Sequence, residues 1–159
     1  MKTSKLKTNE SMVYNGTVTV KLLKGRKPYK TINIHNEGSA EFFRILCNAV
    51  AGNSVNDLMP KCVALFGESD TSLTSVKVHY NTISVTENAG AYATELVFVI
   101  PGSMLISGEV HEIRLYNSAS DSAQWLAKVE LSSAEYFNTD PTSNLMVVWG
   151  LSFQNGGTE

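Results

Sequence analysis

Leu145-Met-Val-Val-Trp149-Gly-Leu-Ser-Phe153 places Leu145, Val147, Trp149, Leu151 and Phe153 at every second position without a miss. Successive side chains of a β-strand point to opposite faces, so this period marks a strand with one buried face. Outward from it the same period recurs. Trp125, Ala127, Val129 and Leu131 alternate with Lys128 and Glu130. Ile113 and Leu115 point inward while Glu112 and Arg114 point outward, in a strand that follows Gly108. Tyr92, Thr94, Leu96, Phe98 and Ile100 form a long strand ended by Pro101-Gly102. Lys61 to Phe66 is nearly all apolar, the pattern of a central strand. Val76, Val78 and Tyr80 alternate, but Ile83 and Val85 fall in the opposite parity, which predicts a bulge or tight turn near Asn81. Val18, Val20 and Leu22 alternate with Thr17, Thr19 and Lys21. The turn Lys24-Gly25-Arg26-Lys27-Pro28 then leads to Ile32 and Ile34 on one face, which reads as a hairpin.

One segment changes period. Phe42, Ile45, Leu46, Ala49 and Val50 recur at three- and four-residue spacing, which predicts an amphipathic helix over Ser39 to Ala51. Ser39 or Asn36 can cap its start, Glu37 and Glu41 suit its positive end, and Gly52 can end it. Asn53–Pro60, Gly67–Ser72 and Asn117–Ser122 read as loops. The expected fold is mainly β: an antiparallel, jelly-roll-like β-sandwich of about eight strands, with one α-helix near residues 39–51. Residues 1–11 read as a flexible basic arm, 12–153 as a single sandwich domain, and 154–159 as a polar tail.

The chain of 159 residues carries a net charge of −2, so its overall charge makes no case for nucleic-acid binding. The distribution says more. Residues 1–30 carry +7 and the remaining 129 carry −9. Lys2, Lys5 and Lys7 form one basic cluster, and Lys24, Arg26 and Lys27 a second. Both are candidate anchoring residues that would dock on an acidic neighbour; the plain alternative is solvated charge that keeps termini and edges soluble. The first residues lack the apolar core of a secretory signal, and the longest apolar run, Leu96 to Ile100, is strand-sized, so neither export nor a membrane span is expected. Asn9-Glu-Ser11 and Asn15-Gly-Thr17 match the glycosylation sequon but carry no weight without a signal.

Catalysis finds little purchase. His35, His79 and His111 are far apart and lack partners at metal-ligand spacing. Cys47 and Cys62 are expected to be free core thiols. Glu68 and Asp70 flank Ser69 in what reads as a solvated turn. No phosphate-binding glycine motif occurs, and the six tyrosines are scattered. No catalytic, metal or cofactor site is expected, and the chain reads as a non-enzyme.

Several pieces follow one another in a set order from about residue 31 to 153. Asn33-Ile-His-Asn36-Glu-Gly38 leads into Glu41-Phe-Phe-Arg-Ile-Leu46 and Gly52, then the apolar strand Pro60 to Gly67. Val99-Ile-Pro-Gly-Ser103 and Gly108-Glu-Val-His-Glu112-Ile-Arg-Leu-Tyr116 come next. Leu126-Ala-Lys-Val-Glu-Leu131, Pro141 and the final Leu145–Phe153 strand complete the set. In this the chain resembles tailed-bacteriophage virion structural proteins, small β-sandwich modules associated with head or tail fibres or tail adaptors. It departs from them at Arg114, where the family often carries Gly, and at Gly67-Glu-Ser, where it carries a Gly-Thr-Gly-like turn. The resemblance implies a structural virion component made in the bacterial host cytoplasm. It also implies a homo-oligomer that binds other virion proteins (fibre, capsid or tail subunits), with no membrane or specific nucleic-acid partner. Rival readings are a carbohydrate- or receptor-binding module acting through loops such as Gly67–Thr74 or Asn117–Ser122, and a capsid decoration protein. Neither loop contains an aromatic residue.

Overall fold

The structure, a computed structural model, describes residues 11–24, 26–36, 40–88, 91–123 and 125–156. Strand β11 (Leu145–Gly156) lies between β1 (Ser11–Lys24) and β6 (Ala91–Ile100) and pairs antiparallel with both. Outside them lie β2 (Lys27–Asn36) and β5 (Thr82–Asn88), giving the sheet order β2-β1-β11-β6-β5. Registration turns the sequence alternation into rows. Ile34, Val18, Trp149, Leu96 and Ile83 face one another across all five strands. Ile32, Val20, Val147 and Phe98 form the next row, and Leu22, Leu145 and Ile100 the one after.

A second antiparallel sheet has the order β4-β3-β8-β9, from β3 (Cys62–Phe66), β4 (Val78–His79), β8 (Glu112–Tyr116) and β9 (Trp125–Glu130). Its buried rows are Val78-Val63-Leu115-Ala127 and Leu65-Ile113-Val129. The short strands β7 (Glu109–Val110) and β10 (Phe137–Asn138) pair with each other. Among the described residues eleven strands are therefore present rather than about eight. β7 and β10 are two residues long, too short for any periodicity to announce them, and the stretch read across Asn81 divides into β4 and β5. One buried cluster takes side chains from the inner rows of both larger sheets, and helix α1 (Ala40–Val50) adds Ile45 to it.

The helix ends where the sequence says. Gly52 adopts φ +77°, and the Asn53 N–H donates to Asn48 O at 3.0 Å, closing the left-handed cap that glycine adopts most readily. The expected caps at Asn36 and Ser39 are not covered by the described side chains.

Three expectations are revised. Of the bulge or tight turn expected near Asn81, the structure has a two-residue turn, and it changes sheet rather than staying within one strand. The chain leaves β4 of one sheet and enters β5 of the other, while the Asn81 N–H donates to Val97 O and its Oδ1 accepts from the Val99 N–H, both at 2.7 Å. Val76 and Tyr80 are exposed, so of that trio only Val78 is buried. β1 and β11 also run beyond the apolar alternation, pairing from Leu22↔Leu145 out to Ser11↔Gly156. That extension takes the backbone into both stretches read as arm and tail. Alternation signals burial of a face, whereas pairing needs only backbone groups.

β6 stops at Pro101-Gly102, which packs on the turn before β11. The Gly102 N–H donates to Asn144 Oδ1 at 3.1 Å, and a Cβ on Gly102 would stand 2.3 Å from Pro141 O. Asp140 shapes that turn by accepting from the Thr142 N–H at 2.9 Å and its hydroxyl at 2.7 Å. Gly102→Ala is therefore expected to destabilise the protein by about 1–3 kcal/mol. Urea unfolding reads this as a lower midpoint at unchanged m-value; an unchanged midpoint contradicts the close approach.

Candidate functional site

The outer face of the four-stranded sheet carries a group of aromatic and charged side chains in contact with one another. Its middle is built from Cys62, Ala64 and Tyr116, all buried, with Phe66 and Ala123 packed against them. Three rings each carry a cation. The Arg114 guanidinium lies 4.0 Å from the Phe66 ring centroid, Lys77 Nζ 4.8 Å from that of Tyr116, and Lys128 Nζ 5.5 Å from that of Trp125.

Trp125 reaches this face through a break in register. Leu115 pairs with Ala127, but the next residue, Tyr116, pairs with Trp125, so one extra residue is accommodated in β9. Leu126 and Ala127 are both buried, and Trp125 is left 42% exposed beside Tyr116. The simple alternation that sets Trp125 with Ala127 and Val129 thus fails at a β-bulge, a device that re-aims a side chain. Three consecutive apolar residues, Trp125-Leu126-Ala127, are the sequence sign of that break.

Beside Trp125 opens a cleft of about 900 Å3. Arg44 of α1, Arg114 and Tyr116 of β8, the 117–123 loop and Trp125 line it. Its volume follows from the small side chains of that loop, Ser118, Ser120, Ser122 and Ala123. The loop is tied down at its start and its middle. Asn117 Nδ2 donates to Asp57 O at 2.7 Å, and Lys77 Nζ donates to Ser120 O at 2.8 Å. A smaller recess of about 290 Å3 shares Arg114, Tyr116 and Ala123 and extends past Lys77 toward Phe66.

Arg114 is the electrostatic centre. It pairs with Glu112 on its own strand and with Asp70 from the loop after β3. Burial opposes its charge, but hydrogen bonds to Glu112, Asp70 and Tyr116 outweigh that and hold its pKa above the ordinary value. Burial pushes the Tyr116 phenol up as well, with Arg114 opposing. Lys128 Nζ lies 2.5 Å from Glu130 Oε1, and that contact keeps the Glu130 carboxyl below its usual range. Ser69 and Asp70 sit at φ +54° and +60°. The left-handed conformation costs an ordinary L-residue roughly 1–2 kcal/mol, though Asp tolerates it better. Asp70 held this way meets Arg114. The loop read as a solvated turn thus sends one carboxylate to the sheet.

The structure scatters the other sequence candidates. Lys24, Arg26 and Lys27 are exposed at the β1–β2 turn, outside the cleft lining. Lys2, Lys5 and Lys7 lie outside the described residues. His79 is exposed on β4. His111 stacks on Tyr136 at 3.9 Å and faces Glu109 Oε1 at 2.8 Å, so Glu109 joins His111 rather than the Glu112–Arg114 pair. His35 occupies a β2 position opposite Thr17. Among the described residues no three His, Cys, Asp or Glu side chains converge to hold a metal ion. No helix among them is long and apolar enough to cross a membrane.

This face thus sets together a half-exposed indole, a hydroxyl-rich wall and a guanidinium paired with two carboxylates. No protein-family model, curated protein or solved structure matches the chain.

Only one of the two cysteines is a core thiol. Cys62 is fully buried, and burial pushes its thiol pKa up, whereas Cys47 is exposed on α1 because it lies off the face that carries Ile45. Ellman's reagent is expected to titrate one thiol rapidly in the folded protein and the second only after unfolding. Equal rates for both would contradict the packing of this sheet face.

Proposed function

We propose that this chain is a non-enzymatic structural component of a bacteriophage particle, a surface- or fibre-associated module that assembles with copies of itself and other virion proteins. The observation that carries the reading is where the ordered sequence pieces fall. Glu41–Leu46 lies in α1, Val99–Ser103 ends β6, Glu112–Tyr116 is β8, Leu126–Glu130 falls in β9, and Leu145–Phe153 lies in β11. These pieces are thus mostly strand or helix, with Pro101-Gly102-Ser103 and Pro141 in the turns that join them. In this reading the two larger sheets pack face to face as a jelly-roll-like sandwich around their shared core.

The sheet edges support an assembling protein. β2 carries Lys27, Pro28 and Lys30, residues that discourage further strand pairing. β5 carries no Lys, Arg or Pro, and its Ile83 and Val85 are exposed, Val85 to 68%. Beside it an apolar groove of about 300 Å3 runs between α1 and Ile83. A second copy pairing along β5 would cover that edge. The basic turn Lys24–Lys27 and the acidic remainder of the chain give copies complementary charge.

A second reading, a carbohydrate- or receptor-binding module, is favoured by the exposed Trp125 beside the Asn117–Ser122 loop. The two are compatible on a particle surface. Immunogold labelling with antibody to this chain is expected to mark discrete points on capsids or tails of the source's particles. Unlabelled particles with free antigen in the cell would contradict the virion reading.

A further inference from the structure

We propose that the Trp125 cleft binds a neutral oligosaccharide, with one pyranose ring stacked on the Trp125 indole. The inference rests on the second reading above and does not depend on where in a particle the protein resides.

The shape of the ligand follows from the shape of the site. A pyranose has an apolar C–H face and a rim of hydroxyls. The cleft has the complementary arrangement, with one half-exposed indole among polar groups. The serine hydroxyls of the 117–123 loop both donate and accept, as do sugar hydroxyls. The indole is pre-placed, because the bulge fixes its strand position and Lys128 lies 5.5 Å from its ring centroid. The volume of about 900 Å3 lies high in the usual range for ligand sites, which suits two or three sugar units better than one.

Charge selects against a polyanion. The guanidinium of Arg114 is already neutralised by Glu112 and Asp70, and Lys77 Nζ is held on Ser120 O. A nucleic-acid strand could stack a base on Trp125, but among the described residues the lining holds only two cations, Arg114, already paired, and Arg44, in a chain of net charge −2. A neutral saccharide asks for no such compensation.

The chain has two tryptophans, and Trp149 is wholly buried, so solvent-sensitive emission reports Trp125. Maltotriose, cellotriose and triacetylchitotriose are the probes, each titrated into the full chain. At least one is expected to shift the emission to the blue, shield it from acrylamide, and move the Trp125 indole N–H resonance without moving that of Trp149. Trp125→Ala is expected to weaken that binding at least about tenfold by calorimetry, with Trp125→Phe losing less. Near-UV circular dichroism of both variants checks that the fold is kept, and the indole resonance of the unmutated protein needs no variant. Binding that leaves the Trp125 resonance and the Trp125→Ala affinity unchanged would overturn this site while leaving a carbohydrate-binding role standing. No binding by any of the three would overturn both. Capture of a protein through Trp125 without saccharide binding would also overturn the inference.

Discussion

Trp149 sits fully buried between Val18 of β1 and Leu96 of β6, and the rest of the molecule is arranged around that row. β11 pairs along both its edges, so neither its backbone groups nor its inner side chains face water along most of its length. Removing a buried ring of this kind costs about 3–5 kcal/mol, comparable with much of a domain's net stability. Among the described residues the Trp149 Nε1–H has no hydrogen-bond partner, which costs roughly 1–3 kcal/mol. The ring's packing outweighs that cost. The inner rows of the four-stranded sheet join the same buried cluster.

The buried faces leave two surfaces for other work. Among the described residues β5 is an edge strand, and it ends the Trp149 row in a half-exposed Ile83. The outer face of the second sheet buries its own small cluster, Cys62, Ala64 and Tyr116, and around it carries aromatics, cations and carboxylates. There the β8–β9 bulge lets Leu126 turn inward and Trp125 outward. One irregularity thus serves both core and surface.

Much of the scaffold was legible in the sequence because burial imposes a period. β11, β6, β8 and the β1–β2 hairpin followed from strict alternation, and α1 from its three- and four-residue spacing and Gly52. The illegible parts have separate physical causes. Residues 11–16 and 154–156 pair without alternating, because backbone bonding requires no apolar face. Ile83 and Val85 alternate like core residues, yet they stand on an edge strand that the other sheet does not cover. Cys47 was expected inside because cysteine is commonly buried, but its position on α1 turns it to solvent. The cleft was hidden most thoroughly. It draws Arg44, Arg114, the 117–123 loop and Trp125 from separate elements, and its aromatic group lies just outside the loop that the sequence offered as a sugar-contacting surface.

The claim on which this account rests is that the Trp149 row and the four-stranded sheet share one core and unfold together. Native-state amide hydrogen exchange tests it most directly. The amides of Val147 and Trp149 in β11 and those of Val63 and Leu115 in β3 and β8 are expected to fall in the slowest class, with the same opening free energy. Exchange from β3 and β8 at a markedly lower free energy than from β11 would contradict it.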